Sequence, residues 1–169
     1  RDVPDGQTGE LVTRGPYTIR GYFDAPEKNR EAFLDGGWYR MGDIVRKQGR
    51  CVHTEGRRKD IINRGGEKIS CDEVENLIFA HPAVKAVALV AMPDPVFGEK
   101  ACAFVVPKDG HTLDLAGLVA FLRQQQIASF KLPERLELVS ALPQSPVGKI
   151  LKRELRERLI ATMPSQAPE

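Results

Sequence analysis

Asp60-Ile61-Ile62-Asn63-Arg64-Gly65-Gly66-Glu67-Lys68-Ile69-Ser70-Cys71-Asp72-Glu73-Val74 holds the change of texture that decides the fold. Ile62 and Ile69 flank a glycine pair, which suits a tight hairpin turn because glycine enters the left-handed backbone region without a Cβ clash. Directly afterwards, Ser70 and Glu73 have the spacing of a capping box, in which a hydroxyl and a carboxylate cover the free N–H groups that open a helix. Val74, Leu77 and Ile78 continue at helical spacing, and Pro82 ends the helix.

Toward the C-terminus, helix and strand patterns alternate. Residues 84–92 are nearly all apolar, as in a buried strand, and 101–106 form another such run. Leu115, Leu118, Val119 and Leu122 give a second amphipathic helix. Leu136 and Leu138 alternate with charges, as in a half-buried strand. Leu151, Leu155 and Leu159 give a last helix whose other side is charged, and 164–169 read as a disordered tail. From about residue 60 to 160 the pattern predicts a compact α+β domain.

Toward the N-terminus, glycines punctuate short strand-like runs. Leu11-Val12-Thr13 ends at Gly15-Pro16, and Tyr17-Thr18-Ile19-Arg20, read as a further strand, ends at Gly21. Residues 25–33 suit one short helix. Residues 38–46 read as a strand, Gln48-Gly49 as a turn and 51–54 as the returning strand. This β-rich stretch is too thin to bury a core alone and is expected to belong to a larger partner.

The 169 residues are 41% hydrophobic and 28% charged, which argues against disorder. A net charge of +2, from 25 basic and 23 acidic residues, lacks the bias of a nucleic-acid binder. No apolar run approaches the roughly 20 residues that span a bilayer, and the first residues hold no signal-peptide core. Nucleic acid and membrane are therefore not expected partners. The chain opens at Arg1, so it reads as a processed, truncated or excised piece. Cys51, Cys71 and Cys102 are dispersed and form no CxxC pair, so no metal site is suggested. They read as reduced packing thiols of a cytoplasmic protein.

Three polar loops are not needed for any core. In Tyr39-Arg40-Met41-Gly42-Asp43, Asp43 is either a plain turn residue or a carboxylate at a strand bend, able to accept hydrogen bonds from neighbouring sugar hydroxyls. The segment from Gly56-Arg57-Arg58-Lys59-Asp60 to Ile69 is either a solvated hairpin or a bare turn among guanidinium groups that favour phosphate and sugar oxygens. Pro143-Gln144-Ser145-Pro146-Val147-Gly148-Lys149-Ile150 reads as a stiff, extended loop that presents Lys149 just before the last helix. A solvated lysine is the bland reading there. A cation is slightly disfavoured at a helix start, however, and fits better if it meets an anion.

Taken in this order, the segments resemble the adenylate-forming superfamily of acyl- and aryl-CoA synthetases, peptide-synthetase adenylation domains and luciferases. Gly9-Glu10-Leu11, Arg14-Gly15-Pro16, Gly21-Tyr22 and residues 38–43 are similar to the closing β-region of that family's large domain. Residues 56–60 resemble its hinge motif, and 143–149 its terminal lysine motif. Arg14-Gly15-Pro16-Tyr17-Thr18, residues 62–69 and Phe130-Lys131-Leu132-Pro133 most resemble the siderophore aryl-acid ligases, which activate 2,3-dihydroxybenzoate or salicylate and load it on an aryl carrier protein. Met41 departs from the family, which usually has Thr there.

The resemblance implies an α+β architecture with three parts. Residues 1–58 are a β-rich fringe of the large N-terminal domain. Residues 59–163 are a small mobile C-terminal domain, with a short β-hairpin and a small sheet flanked by helices. Residues 164–169 are a tail. It implies that Asp43 and Arg57 bind the ribose of ATP or AMP and that Lys59 is the hinge. Lys149 would bridge the substrate carboxylate and the α-phosphate, and Gly65 and Gly66 would line the tunnel for a phosphopantetheine thiol. Implied cofactors are ATP, with its Mg2+, and the acceptor's phosphopantetheine. Implied partners are the large N-terminal domain and a carrier protein or CoA. The phosphate loop and acid pocket of the family are not in this sequence, so the chain alone is expected to be inactive.

Three alternatives stay open. An acyl-CoA synthetase acting on another carboxylic acid fits the same motifs. Residues 61–69 also resemble the clamp loop of KH-type RNA-binding modules, with Asn63 where a glycine is needed. A carrier-docking module would use basic residues such as Lys68, Lys131, Lys152 and Arg153.

Overall fold

The structure, a computed structural model, describes residues 2–163, so the expected tail lies outside the described residues. The chain folds as two units, Arg1–Lys59 and Asp60–Glu169.

The first unit is one antiparallel sheet built around a long strand. Its elements are β1 (Thr8–Thr13), α1 (Pro26–Ala32), β2 (Phe33–Leu34), β3 (Trp38–Gln48) and β4 (Cys51–Arg57). β1 lies along one edge of β3, while β2 and then β4 take the other. Pro26 opens α1 at a position where no backbone N–H is needed. Among the described residues of this unit, Val45 is the buried hydrophobic side chain, whereas Tyr17 is 76% and Phe23 100% exposed. A sheet with so little buried surface gains little stability from burial of its own side chains.

Tyr17-Thr18-Ile19-Arg20 is not a strand. Thr18 N donates to Gly15 O at 3.0 Å, so Pro16 and Tyr17 are the central residues of a turn. Proline at the second turn position fixes the bend. Both edges of β3 are also occupied at this level, since Tyr39 pairs with Thr13 on one side and Phe33 on the other.

The second unit contains β5 (Ile61–Arg64), β6 (Glu67–Ser70), α2 (Cys71–Phe79), β7 (Val84–Asp94), β8 (Gly98–Pro107), α3 (Leu115–Gln124), β9 (Arg135–Leu138) and α4 (Lys152–Thr162). The strand order is β6-β5-β8-β7, and β9 pairs with β8 in parallel. Alternation along β7 and β8 builds two cores. Val87, Leu89, Ala101, Ala103 and Val105 face α2 and α3, while Ala88, Val90, Cys102, Phe104 and Val106 face α4. Leu155 and Leu159 of α4 are buried to within 1% exposure; each contributes about 2 kcal/mol by leaving water.

The predicted cap at α2 is present: Ser70 Oγ accepts from Glu73 N at 3.3 Å. The Glu73 carboxylate also meets Lys131, whose ammonium lies 2.7 Å from both oxygens.

Candidate functional site

Asp43 lies within β3 rather than at its end, one residue after Gly42, whose φ is +75°. Its register partner on β4 is Arg57, and Arg57 Nε stands 2.9 Å from Asp43 Oδ1. A β-bulge follows at once, between Ile44 and Val45, and re-aims the two side chains relative to the rest of the ladder. Arg57 Nη1 also donates to the carbonyl of Met41 at 3.4 Å. That bond uses only the backbone of Met41, so Met in place of the family's Thr leaves it intact. With Oδ1 taken by Arg57, the second carboxylate oxygen can still accept from a diol.

Beside this pair, the first unit carries a surface depression of 530 Å³ whose basic wall comprises Lys28, Arg40, Arg57, Arg58 and Lys59. Glu10 faces it and is held by Arg40 at 3.2 Å and Arg58 at 3.4 Å. Nearby, the Tyr22 and Tyr39 hydroxyls are 2.8 Å apart, and that bond raises the Tyr39 phenol above its ordinary value.

Lys59 is the central residue of a single 3-10 turn, Arg58–Asp60, and the last residue of the first unit. Asp60, the first residue of the second, is anchored by Arg156 of α4 at 3.0 Å. The chain therefore passes between units through a turn whose far end is fixed to a helix.

Gly65 and Gly66 occupy the β5–β6 turn with φ of +58° and +99°, the two positive values that a two-residue hairpin of primed type requires. A Cβ added to Gly65 would lie 3.1 Å from the Phe97 ring, while one on Gly66 would meet nothing within 4 Å. One side of the turn is thus packed and the other bare.

Lys149 lies on a tight loop rather than an extended one. Gly148 N donates to Ser145 O and Ser145 N to Lys149 O, both at 2.8 Å, while Lys149 N donates to Ser145 Oγ at 3.1 Å. Pro146 and Gly148, with φ of +80° at the glycine, make this turn. The Lys149 side chain is exposed, and among the described residues no ion pair involves it.

The structure thus brings Asp43 to Arg57 and joins Gly65 to Gly66, while Lys149 stands on a loop of its own. Two of the basic residues expected to face a partner are engaged elsewhere. Lys152 pairs with Glu75 at 2.7 Å and is only 14% exposed, and Lys131 is held by Glu73. Lys68 and Arg153 are exposed. Burial pulls the Lys152 ammonium down, but Glu75 and Cys71 more than offset this, and the net direction is up. Burial pushes the Cys71 and Cys102 thiols up to about 12, so neither is a nucleophile at neutral pH. Cys51 is exposed. Sequence reading singled out Arg64 with the glycine turn but missed its partners there, Phe97 and Glu134. An aromatic in the turn-rich stretch Asp94-Pro95-Val96-Phe97-Gly98 was the available signal.

Residues 73–149 match the model of the AMP-binding enzyme C-terminal domain. Over that stretch the chain is similar to the C-terminal domain of AMP-binding enzymes. Its relatives include the 2,3-dihydroxybenzoate-AMP ligase of Bacillus subtilis, 52% identical over 161 residues that cover 94% of this chain and 30% of that protein. Enterobactin synthase component E of Escherichia coli is 48% identical over 93% of this chain and 29% of its own length. Among solved structures, ATP-bound MatB from Rhodopseudomonas palustris is 36% identical, with a TM-score of 0.83 over 92% of this chain and 31% of that one. The chain therefore spans about 30% of the length of the curated relatives it matches. Among the described residues no helix is long and apolar enough to cross a membrane.

Proposed function

We propose that the chain is the C-terminal part of an ATP-dependent ligase that activates an aryl acid of the 2,3-dihydroxybenzoate or salicylate type. The activated acyl group then passes to a phosphopantetheine thiol. The observation that carries this reading is the 52% identity to a 2,3-dihydroxybenzoate-AMP ligase over 94% of the chain. The geometry is consistent with it, since a carboxylate–guanidinium pair stands across two strands, while a lysine outside any ion pair among the described residues and a bare glycine turn sit on separate loops.

In the first step the acid's carboxylate oxygen attacks the α-phosphorus of ATP. The P–O bond to pyrophosphate breaks, and acyl-adenylate and pyrophosphate result. Two anions must approach, and the Lys149 ammonium offsets their repulsion as charge builds between them. Asp43 accepts hydrogen bonds from the ribose hydroxyls, and Arg57 holds it in place. Magnesium enters with the ATP phosphates.

In the second step a thiol sulfur attacks the acyl carbonyl, AMP leaves with the bonding electron pair, and the thiol proton passes to solvent. This step needs Lys149 withdrawn and a narrow passage lined by backbone. Rotation of residues 59–163 about Lys59 exchanges Lys149 for the Gly65–Gly66 turn, which suits a thin pantetheine arm. Residues 1–58 belong to the large N-terminal domain, which supplies the phosphate loop and the acid pocket. The enzyme works in the cytoplasm, where its acceptor is a carrier protein. CoA as acceptor is the second reading, favoured by 54% identity to a salicylyl-CoA synthase / salicylate adenylyltransferase of Streptomyces.

Acid-dependent exchange of pyrophosphate into ATP by the intact protein, across aryl, aliphatic and amino acids, tests the proposal. A hydroxylated benzoate is expected to give the highest kcat/KM. Preference for an aliphatic or amino acid overturns the substrate class.

A further inference from the structure

The Gly65–Gly66 turn rests on a brace that comes from elsewhere in the second unit. Gly65 N donates to the carbonyl of Phe97 at 2.8 Å. Phe97 is fixed from its other side, because its own N–H donates to Asp94 Oδ1 at 2.9 Å. The Arg64 guanidinium lies over the Phe97 ring, 3.9 Å from its centre. Glu134 sets the guanidinium's orientation by accepting two bonds from Arg64, from Nη2 at 3.0 Å and from Nε at 3.3 Å. Its backbone is in turn tied to β8 through Glu134 N and Ala101 O at 2.9 Å.

The pair's strength does not account for this arrangement. The Arg64 and Glu134 side chains are 21% and 30% exposed, and a pair so placed adds only about 0–1 kcal/mol. Its geometry is the informative feature. A two-pronged pair fixes the orientation of a guanidinium, which a single contact does not. A fixed guanidinium holds the ring, and the ring and its carbonyl hold Gly65. Lys100, 2.8 Å from Asp94 and 3.9 Å from Glu134, closes the cluster.

We infer that Glu134 is a positioning residue for thiol transfer, acting through Arg64 and Phe97 to fix the Gly65–Gly66 turn. The inference rests on the proposed role of that turn. A turn that wanders by about 1 Å misdirects the incoming sulfur, and misplacement of that size costs a transfer step about tenfold or more.

The test uses the intact ligase and measures its two half-reactions separately. Glu134→Gln removes the charge and one of the two accepting oxygens while keeping size. It is expected to lower kcat for thiol transfer from preformed acyl-adenylate about tenfold. KM for the acceptor and pyrophosphate exchange are expected to stay at their wild-type values, and amide exchange at Gly65 to speed up. Phe97→Leu, which keeps apolar bulk but removes the ring, is expected to do the same. A rise in acceptor KM alone, an equal loss of both half-reactions, or wild-type transfer in both variants overturns the inference. Gly65→Ala separates the two levels. If it transfers at the wild-type rate, the role proposed for the turn is wrong. If it is slow while Glu134→Gln is normal, only the brace fails.

Discussion

Asp43 and Arg57 are register partners across β3 and β4, with Arg57 Nε 2.9 Å from Asp43 Oδ1. The contact occupies one carboxylate oxygen and leaves the other for a ligand. Asp43→Ala removes both the acceptor and the anchor of Arg57. Losing bonds to a charged group costs about 1.5–3 kcal/mol, so the KM for ATP in pyrophosphate exchange should rise about 10- to 100-fold. Asp43→Asn, which keeps an acceptor oxygen, should lie between. A KM unchanged in Asp43→Ala would show that this carboxylate does not touch the nucleotide.

Lys149 is exposed on a turn that its own backbone bonds hold. Lys149→Ala should therefore fold normally and lower adenylation about 100-fold or more. Thiol transfer from preformed acyl-adenylate should be nearly unchanged. Single-turnover measurement of each half-reaction decides this, and equal suppression of both would overturn the role proposed for Lys149 between the two anions.

Lys152 and Glu75 form an ion pair with 14% and 18% of their side chains exposed, and Glu75 also accepts from Leu89 N. Lys152→Met leaves a buried carboxylate unpaired and should cost about 3 kcal/mol in denaturant unfolding. Glu75→Gln added to it should recover part of the loss, since the amide oxygen still accepts from Leu89 N. The folded-state ammonium titrates above 10.5, its ordinary value. Its contribution is therefore fully present below that pH and fades as pH rises through the folded value. A double variant no more stable than Lys152→Met would argue against an uncompensated charge as the cause.

The Cys71 and Cys102 thiols, pushed up to about 12 by burial, stay protonated near neutral pH. A thiol-alkylating reagent at pH 8 should label Cys51 alone in the native chain and all three cysteines after denaturation. The same shift makes stability fall as pH rises above about 8.5, where unfolded thiols release protons that the folded ones keep. Rapid native labelling of Cys71 or Cys102, mapped by mass spectrometry, would contradict their burial.

Much of the second unit was legible because its signals are local. Ile62, Gly65, Gly66 and Ile69 specify a hairpin among themselves, and Ser70 caps the helix that begins at the next residue. Apolar runs in β7 and β8 announced buried strands, although not that their two faces serve different helices. Tyr17-Thr18-Ile19-Arg20 misled because its apolar and β-branched residues suit a strand, while the turn started by Gly15-Pro16 consumes the first of them. Lys131 and Lys152 misled because charge alone does not reveal a partner.

The sequence by itself determined the hairpin, the helix start and the alternation of helices and strands in the second unit. Each of these depends on residues within a few positions of one another, where periodicity and turn chemistry act directly. The tertiary structure alone decided which charges are engaged. Lys131 meets Glu73 across 58 positions, Arg64 meets Glu134 across 70 and Arg156 meets Asp60 across 96. Side chains that far apart are brought within 3.0 Å only by the packing of the strands and helices that carry them. An arginine or lysine reads the same in sequence whether its carboxylate partner is waiting or absent.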